Sequence, residues 1–215
     1  MRFLDRADAG RQLAGLLKRY ANRPDVVVLG LPRGGVPVAF EVAHQLRAPL
    51  DVFLVRKLGV PAHPELAMGA IASGGVRVLS EDLISELGIP RAAVEQVAVR
   101  EGLELDRRER LYRGERAFPL LIDRTAILVD DGLATGATME AAVAALKQYR
   151  PAHIVIAAPV GAPETCARLR PLVDAVVCVT IPPSFQAVGL WYDRFDQISD
   201  EEVIDLLQRA VATVR

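Results

Sequence analysis

Five short runs of Val, Ile, Leu and Ala punctuate the chain: Val26–Leu31, Val52–Arg56, Ala126–Val129, Ile154–Ala158 and Ala175–Val179. Their apolar side chains are nearly continuous, with no polar residue at every second position. A strand of that kind has both faces covered, as in a parallel sheet packed between helices. Helical periodicity fills the intervals at Pro37–Leu46, Met139–Gln148 and Glu164–Leu169. The alternation predicts an α/β fold, a five-stranded parallel sheet flanked by helices and joined by right-handed crossovers. Ligands of such sheets bind beyond the carboxyl ends of the strands, near the switch in strand order. The loops after Leu31, Arg56 and Val129 are therefore the place to search.

Two stretches break the alternation. Met68–Ile71 and Val76–Leu79, joined by Ala72-Ser73-Gly74-Gly75, read as an edge hairpin. Residues 80–116 read as a helical insertion. Its first helix opens at Ser80, carries Glu81 and Asp82 in the first turn and stops at Gly88. A longer helix then ends in the charged run Asp106-Arg107-Arg108-Glu109-Arg110. Residues 181–215 make a small C-terminal hood and a last helix, which opens on a capping box from Ser199 to Glu202. No repeat or linker divides the chain, so 1–215 reads as a single domain.

Charge and composition narrow the class. The 26 basic and 27 acidic residues leave a net charge of −1, which gives no global field for nucleic acid or an anionic membrane. No apolar run approaches the roughly 20 residues of a membrane span. The opening Met1-Arg2-Phe3-Leu4-Asp5-Arg6 is too charged for a signal peptide. Cys166 and Cys178 form no C-x-x-C pair and read as reduced structural thiols. His44, His63 and His153 lack metal-ligand spacing. A cytoplasmic protein with no nucleic-acid or membrane partner is expected, and association as a homodimer stays open.

The chemistry concentrates in Ala126-Ile127-Leu128-Val129-Asp130-Asp131-Gly132-Leu133-Ala134-Thr135-Gly136-Ala137-Thr138. A buried strand delivers two adjacent carboxylates, a loop of small and hydroxyl residues follows, and a helix begins. Small residues let backbone N–H groups converge on an anion at the helix N-terminus, where the dipole also favours negative charge. Thr135 and Thr138 add hydroxyl donors. Two carboxylates beside a phosphate site cannot bind the phosphate; they suit ribose hydroxyls, directly or through a bound magnesium ion. An ordinary strand end with solvated acids is the plainer alternative for the Asp-Asp pair by itself. The chain has no G-x-x-x-x-G-K-[ST], and no G-x-G-x-x-G follows the first strand.

As a whole, this segment resembles the phosphoribosyl pyrophosphate (PRPP) motif of type I phosphoribosyltransferases. The resemblance implies that Asp130 and Asp131 hold the ribose hydroxyls and a magnesium ion. It also implies that Thr135, Gly136, Ala137 and Thr138 cradle the 5′-phosphate, with Gly132, Leu133 and Ala134 in the same substrate-binding loop. Pro32-Arg33-Gly34-Gly35 matches the family's pyrophosphate loop, including a cis peptide between Pro32 and Arg33, although two glycines after a strand also suit a simple turn. Arg56 and Lys57 stand where they could face the leaving pyrophosphate. Arg33, Lys57, Asp130 and Asp131 are then the catalytic set. The insertion occupies the chain position of a closing loop, while its arginines read as a solvated helix face.

The hood holds Phe185, Trp191, Tyr192 and Phe195, four of the chain's eleven aromatics. Trp191 is the candidate for stacking a flat base; packing of the hood itself is the plainer role for any one ring. Asp193 is placed with the metal by a loose likeness to 6-oxopurine enzymes. Ala134 stands where the hypoxanthine and guanine enzymes carry an acid, so the acceptor base is left open. The expected function is transfer of a phosphoribosyl group from PRPP to a nitrogenous base, with pyrophosphate released. A PRPP-binding regulator without catalysis, a domain serving a partner enzyme and an unrelated phosphate-binding protein are the alternatives.

Overall fold

The computed structural model describes residues 2–61 and 63–213, and the last two hood residues lie outside that range. Five parallel strands form the central sheet: β1 (Val26–Gly30), β2 (Leu50–Val52), β6 (Thr125–Val129), β7 (His153–Val160) and β8 (Ala175–Thr180), in the order β2-β1-β6-β7-β8. The residues of β1 and β6 are buried throughout. The two-fold pleat divides their side chains between two cores. Val26, Val28, Ile127, Val129, Val155 and Ala157 face one side. There they meet α1 (Arg6–Leu16) and α2 (Gly35–Leu46), with α7 (Asp200–Thr213) packed on α2. Val27, Leu29, Ala126, Leu128, Ile154 and Ile156 face the other. That side is covered by α5 (Ala137–Leu146) and α6 (Pro163–Leu169). An apolar residue is needed on both faces, which is why the runs show no alternation.

The run Val52–Arg56 is not a single strand. Strand β2 ends at Val52, and β3 (Val55–Val60) belongs to a second sheet, antiparallel, with β4 (His63–Ala72) and β5 (Val76–Leu79). The expected hairpin is the β4–β5 pair, and β3 adds a third strand to it. The chain changes sheets at Phe53 and Leu54 with no polar residue to mark the change. Ser73 makes the corner: its Oγ accepts from Leu54 N–H at 3.0 Å, and its own N–H donates to Leu54 O at 2.9 Å.

The insertion folds as α3 (Glu81–Glu86) and α4 (Arg91–Arg113), the latter stopped at Gly114. Helix α4 packs on β3, β4 and α7. It is anchored at its C-terminal end by Arg113, which is 5% exposed. Arg113 donates to Asp51 Oδ1 at 3.0 Å, to Glu109 Oε1 at 2.9 Å and to Val52 O at 2.8 Å. Arg107 and Arg108, by contrast, pair with Glu104 on the outer face, as their place in a charged run implied. The capping box of α7 is present, with Ser199 N–H donating to Glu202 Oε2 at 2.8 Å and Glu202 N–H to Ser199 Oγ at 3.2 Å. Cys166 and Cys178 are unbonded, their Sγ atoms 3.8 Å apart between α6 and β8. Among the described residues no helix is long and apolar enough to cross a membrane.

Candidate functional site

The carboxyl ends of β1 and β6 bring the two principal loops together. After β1 the chain turns through Pro32-Arg33-Gly34-Gly35, with a cis peptide between Pro32 and Arg33. Gly35 N–H donates to Leu31 O at 3.0 Å, closing the turn at the start of α2. The glycines are there for contact with β6. A Cβ on Gly34 would overlap the Asp131 carboxylate, and one on Gly35 would lie 2.6 Å from Val129 O. Gly34 and Gly35 thus press directly on the acid pair.

Asp130 and Asp131 leave β6 half-buried. Asp131 N–H donates to Asp130 Oδ1 at 2.9 Å. The Asp131 carboxylate takes a 2.9 Å bond from Arg6 Nε, and its main-chain oxygen accepts from the Tyr192 hydroxyl at 2.6 Å. Burial raises the Asp130 carboxyl well above the ordinary carboxylate range, and the neighbouring Asp131 charge pushes it further. Burial also raises Asp131, and the Arg6 guanidinium offsets part of that rise. Two adjacent acids meet one cation, bonded to Asp131 alone, and their burial works against ionising both.

The loop beyond them is held from behind. Leu133 is buried and donates to Val160 O at 2.9 Å. The Thr165 hydroxyl on α6 donates to Ala134 O, and Arg168 donates to Thr135 O. Gly136 caps α5 with φ +75°, and a Cβ there would strike the Thr165 methyl at 2.5 Å. With those carbonyls turned toward α6, the N–H groups of Ala134 through Met139 meet no acceptor among the described residues. Thr135 and Thr138 are exposed beside them. A row of free donors at the N-terminus of a ten-residue helix is an anion cradle.

The other predicted residues are placed less uniformly. Arg33 lies 3.9 Å from Asp200 at the start of α7 and is partly exposed. Arg56 is bonded to Glu101 of α4, with Nε to Oε2 at 2.9 Å. Lys57 is exposed and lines a separate recess of about 390 Å³ between the antiparallel sheet and α5, with Glu65, Gly69, Ala137 and Glu140. Asp193 is exposed, 3.6 Å from Arg2, and does not join Asp130 and Asp131: among the described residues no three acidic, His or Cys side chains converge. Trp191 is half-buried against the small core of Phe3, Val160 and Tyr192, so it packs the hood. Tyr192 is buried as well.

Sequence reasoning missed Arg6. Its guanidinium bridges Asp131, the Asp196 carbonyl and the Phe195 ring. With Arg33, Gly34, Asp131 and residues 195–198 it lines a cavity of about 390 Å³ at the carboxyl end of the sheet. A signal was present: a cation in the first turn of a helix opposes the dipole and needs another reason to be there.

A model of the phosphoribosyl transferase domain matches residues 64–190, which hold the acid pair, the anion cradle and part of the hood. A protein of Mycobacterium tuberculosis H37Rv named "Putative phosphoribosyl transferase" is 51% identical over 209 residues, covering 97% of this chain and 47% of its own length. The chain thus spans about half the length of the curated relatives it matches. The crystal structure of TT1426 from Thermus thermophilus superposes with a TM-score of 0.88 at 42% identity, covering 97% of this chain and 99% of that one. With the domain model spanning more than half of its residues and that identity sustained along nearly all of them, the chain belongs to the phosphoribosyl transferase domain family.

Proposed function

We propose that this chain binds PRPP with magnesium and transfers the phosphoribosyl group to a nitrogenous base, releasing pyrophosphate. The observation that carries this reading is a convergence at one end of the sheet. A half-buried pair of acids at Asp130 and Asp131 with one bonded cation, a glycine loop in contact with it and a row of acceptor-free N–H groups all meet there. The N–H groups of 134–139 and the hydroxyls of Thr135 and Thr138 bind the 5′-phosphate. Asp130 and Asp131 accept hydrogen bonds from the ribose hydroxyls. Their oxygens also suit magnesium, which needs only one or two protein carboxylates when substrate phosphates complete its shell. When bound, magnesium neutralises charge on the phosphate oxygens.

The remaining chemistry belongs to the protein. As the C1–oxygen bond breaks, the sugar gains oxocarbenium character and the pyrophosphate gains charge. Arg33, held only at long range by Asp200, turns to that charge, and Lys57 approaches from its recess. Arg56 acts through position, fastening the strand that carries Lys57 to α4. The hood excludes water while the base nitrogen attacks C1. Pyrophosphate release from PRPP across a panel of purine, pyrimidine and nicotinate-like acceptors tests the proposal. Release with one acceptor supports transfer and identifies the base. PRPP binding with silence across the panel favours the regulator.

A further inference from the structure

Arg6 comes from the first helix, 125 residues before the acid it touches, and only 8% of it is exposed. Nothing in α1 requires it. Asp5 already caps that helix through a 2.9 Å bond from Asp8 N–H, and a cation in the first turn is electrostatically unfavourable. Two nitrogens and one face of the guanidinium are nonetheless used. Nε donates to Asp131 Oδ2 at 2.9 Å, Nη1 donates to Asp196 O at 2.8 Å, and the planar group lies 3.9 Å over the Phe195 ring. One side chain therefore ties a β6 acid to the loop that leads into α7.

We propose that Arg6 is a positioning residue for the phosphoribosyl donor. It fixes the Asp131 carboxylate beside the glycine loop and fastens the hood segment Phe195–Asp196 to the same point. The inference rests on the functional reading above. With one bond of Oδ2 taken by Arg6, and the Asp131 main-chain oxygen taken by Tyr192, the carboxylate keeps one orientation and presents its remaining lone pairs to a ribose hydroxyl. Lysine cannot do this, because an ammonium has neither the planar fork nor the face that stacks on Phe195. The hood and the ribose acid are thus set together, by a residue that touches neither the reacting carbon nor the leaving group.

The test is calorimetric titration of the full chain with PRPP and magnesium, alongside thermal melts. Arg6→Ala is expected to lose about ten- to a hundredfold in affinity, the range of hydrogen bonds to a charged group, while melting cooperatively. Added guanidinium ion should restore part of that affinity, and Arg6→Lys should fall between. Phe195→Ala, which leaves the Asp131 bond and removes the stacked ring, should weaken binding about threefold. It serves as the reporter should Arg6→Ala fail to fold. A wild-type chain that does not bind PRPP overturns the functional reading and this inference together. A wild type that binds, with Arg6→Ala or Phe195→Ala binding equally well, overturns the inference alone. A loss in Arg6→Ala that guanidinium leaves untouched, with a broadened melt, assigns Arg6 to folding and overturns it too.

Discussion

The acid loop and the helical insertion are both dense in charge, and they treat it in opposite ways. In and around the insertion most of the arginines are paired with acids. Arg56 meets Glu101, Arg77 meets Glu95, Arg91 meets Glu81, Arg107 and Arg108 share Glu104, and Arg113 holds Asp51 and Glu109. At the end of β6, two adjacent acids meet one guanidinium, and burial holds both carboxyls above their ordinary range. Paired charge is what a structural element retains. Two adjacent acids with one cation between them lower stability, and such a pair is retained where a ligand supplies the missing partner. The comparison therefore separates residues that hold the fold from residues that the proposed function assigns to a ligand.

The largest effect should come from the paired side. Arg113→Met removes every bond to Asp51 and Val52 that anchors α4 and leaves the Asp51 carboxylate buried without its cation. A loss of about 3–5 kcal/mol is expected, read by denaturant unfolding. A variant that unfolds like the wild type would erase the contrast between the regions.

Next comes the contact between the loops. Gly34→Ala puts a methyl group into the Asp131 carboxylate. Relieving the overlap should cost about 1–3 kcal/mol of stability and weaken PRPP binding by at least about tenfold. A folded variant with unchanged PRPP affinity would mean that the glycine loop is only a turn.

Asp130→Asn sharpens the comparison from the side of the acid pair. Because the native carboxyl titrates higher than the unfolded one, the unfolded state releases its proton first as pH rises. Stability falls through that window, and removing the acid should raise the melting temperature at neutral pH. PRPP affinity should fall about ten- to a hundredfold, and a chelator that strips magnesium should weaken the wild type more than the variant. Full PRPP affinity in the variant, whatever its stability, would remove Asp130 from the proposed site.

These two regions were also unequally legible in the sequence. The acid loop could be read because its parts are contiguous: thirteen residues hold the strand, the acids, the loop of small and hydroxyl residues and the start of α5. Arg6 left only the weak signal of a cation in a first turn, because its meaning depends on the fold bringing the start of α1 to an acid 125 positions further along the chain. The sheet change at Phe53–Leu54 was hidden for a similar reason. Both residues are buried whichever sheet they join, and the corner is made by Ser73, nineteen residues on. Arg113 stands just past a charged run that is solvated, and only its packing against Asp51 distinguishes it from that run. The aromatics of residues 185–195 could be read as a cluster, while the packing of Trp191 and Tyr192 against Phe3 and Val160 emerged only in three dimensions.

The smallest effect concerns Arg56, the residue that the family resemblance placed at the pyrophosphate and that the structure places against Glu101. Burial alone would raise the Glu101 carboxyl, but hydrogen bonds and charge from Arg56, together with Arg100, outweigh it and leave the group below its ordinary range. An acid held low in the native state contributes stability that is present above its unfolded value of 4.5 and is lost as pH falls through the lower native value. Part of the acid limb of the stability profile should therefore vanish in Glu101→Gln, with a cost near neutral pH of about 1 kcal/mol or less, since the Arg56 side chain is 31% exposed. Arg56→Gln should give the same acid limb, because it removes the main partner of the same carboxyl. PRPP affinity separates the two roles. If Arg56 acts only by fastening β3 to α4, the two variants should lose affinity equally, by about threefold or less. If Arg56 reaches the pyrophosphate, Arg56→Gln should lose about tenfold or more, while Glu101→Gln, which frees the guanidinium, should bind as well as the wild type or better.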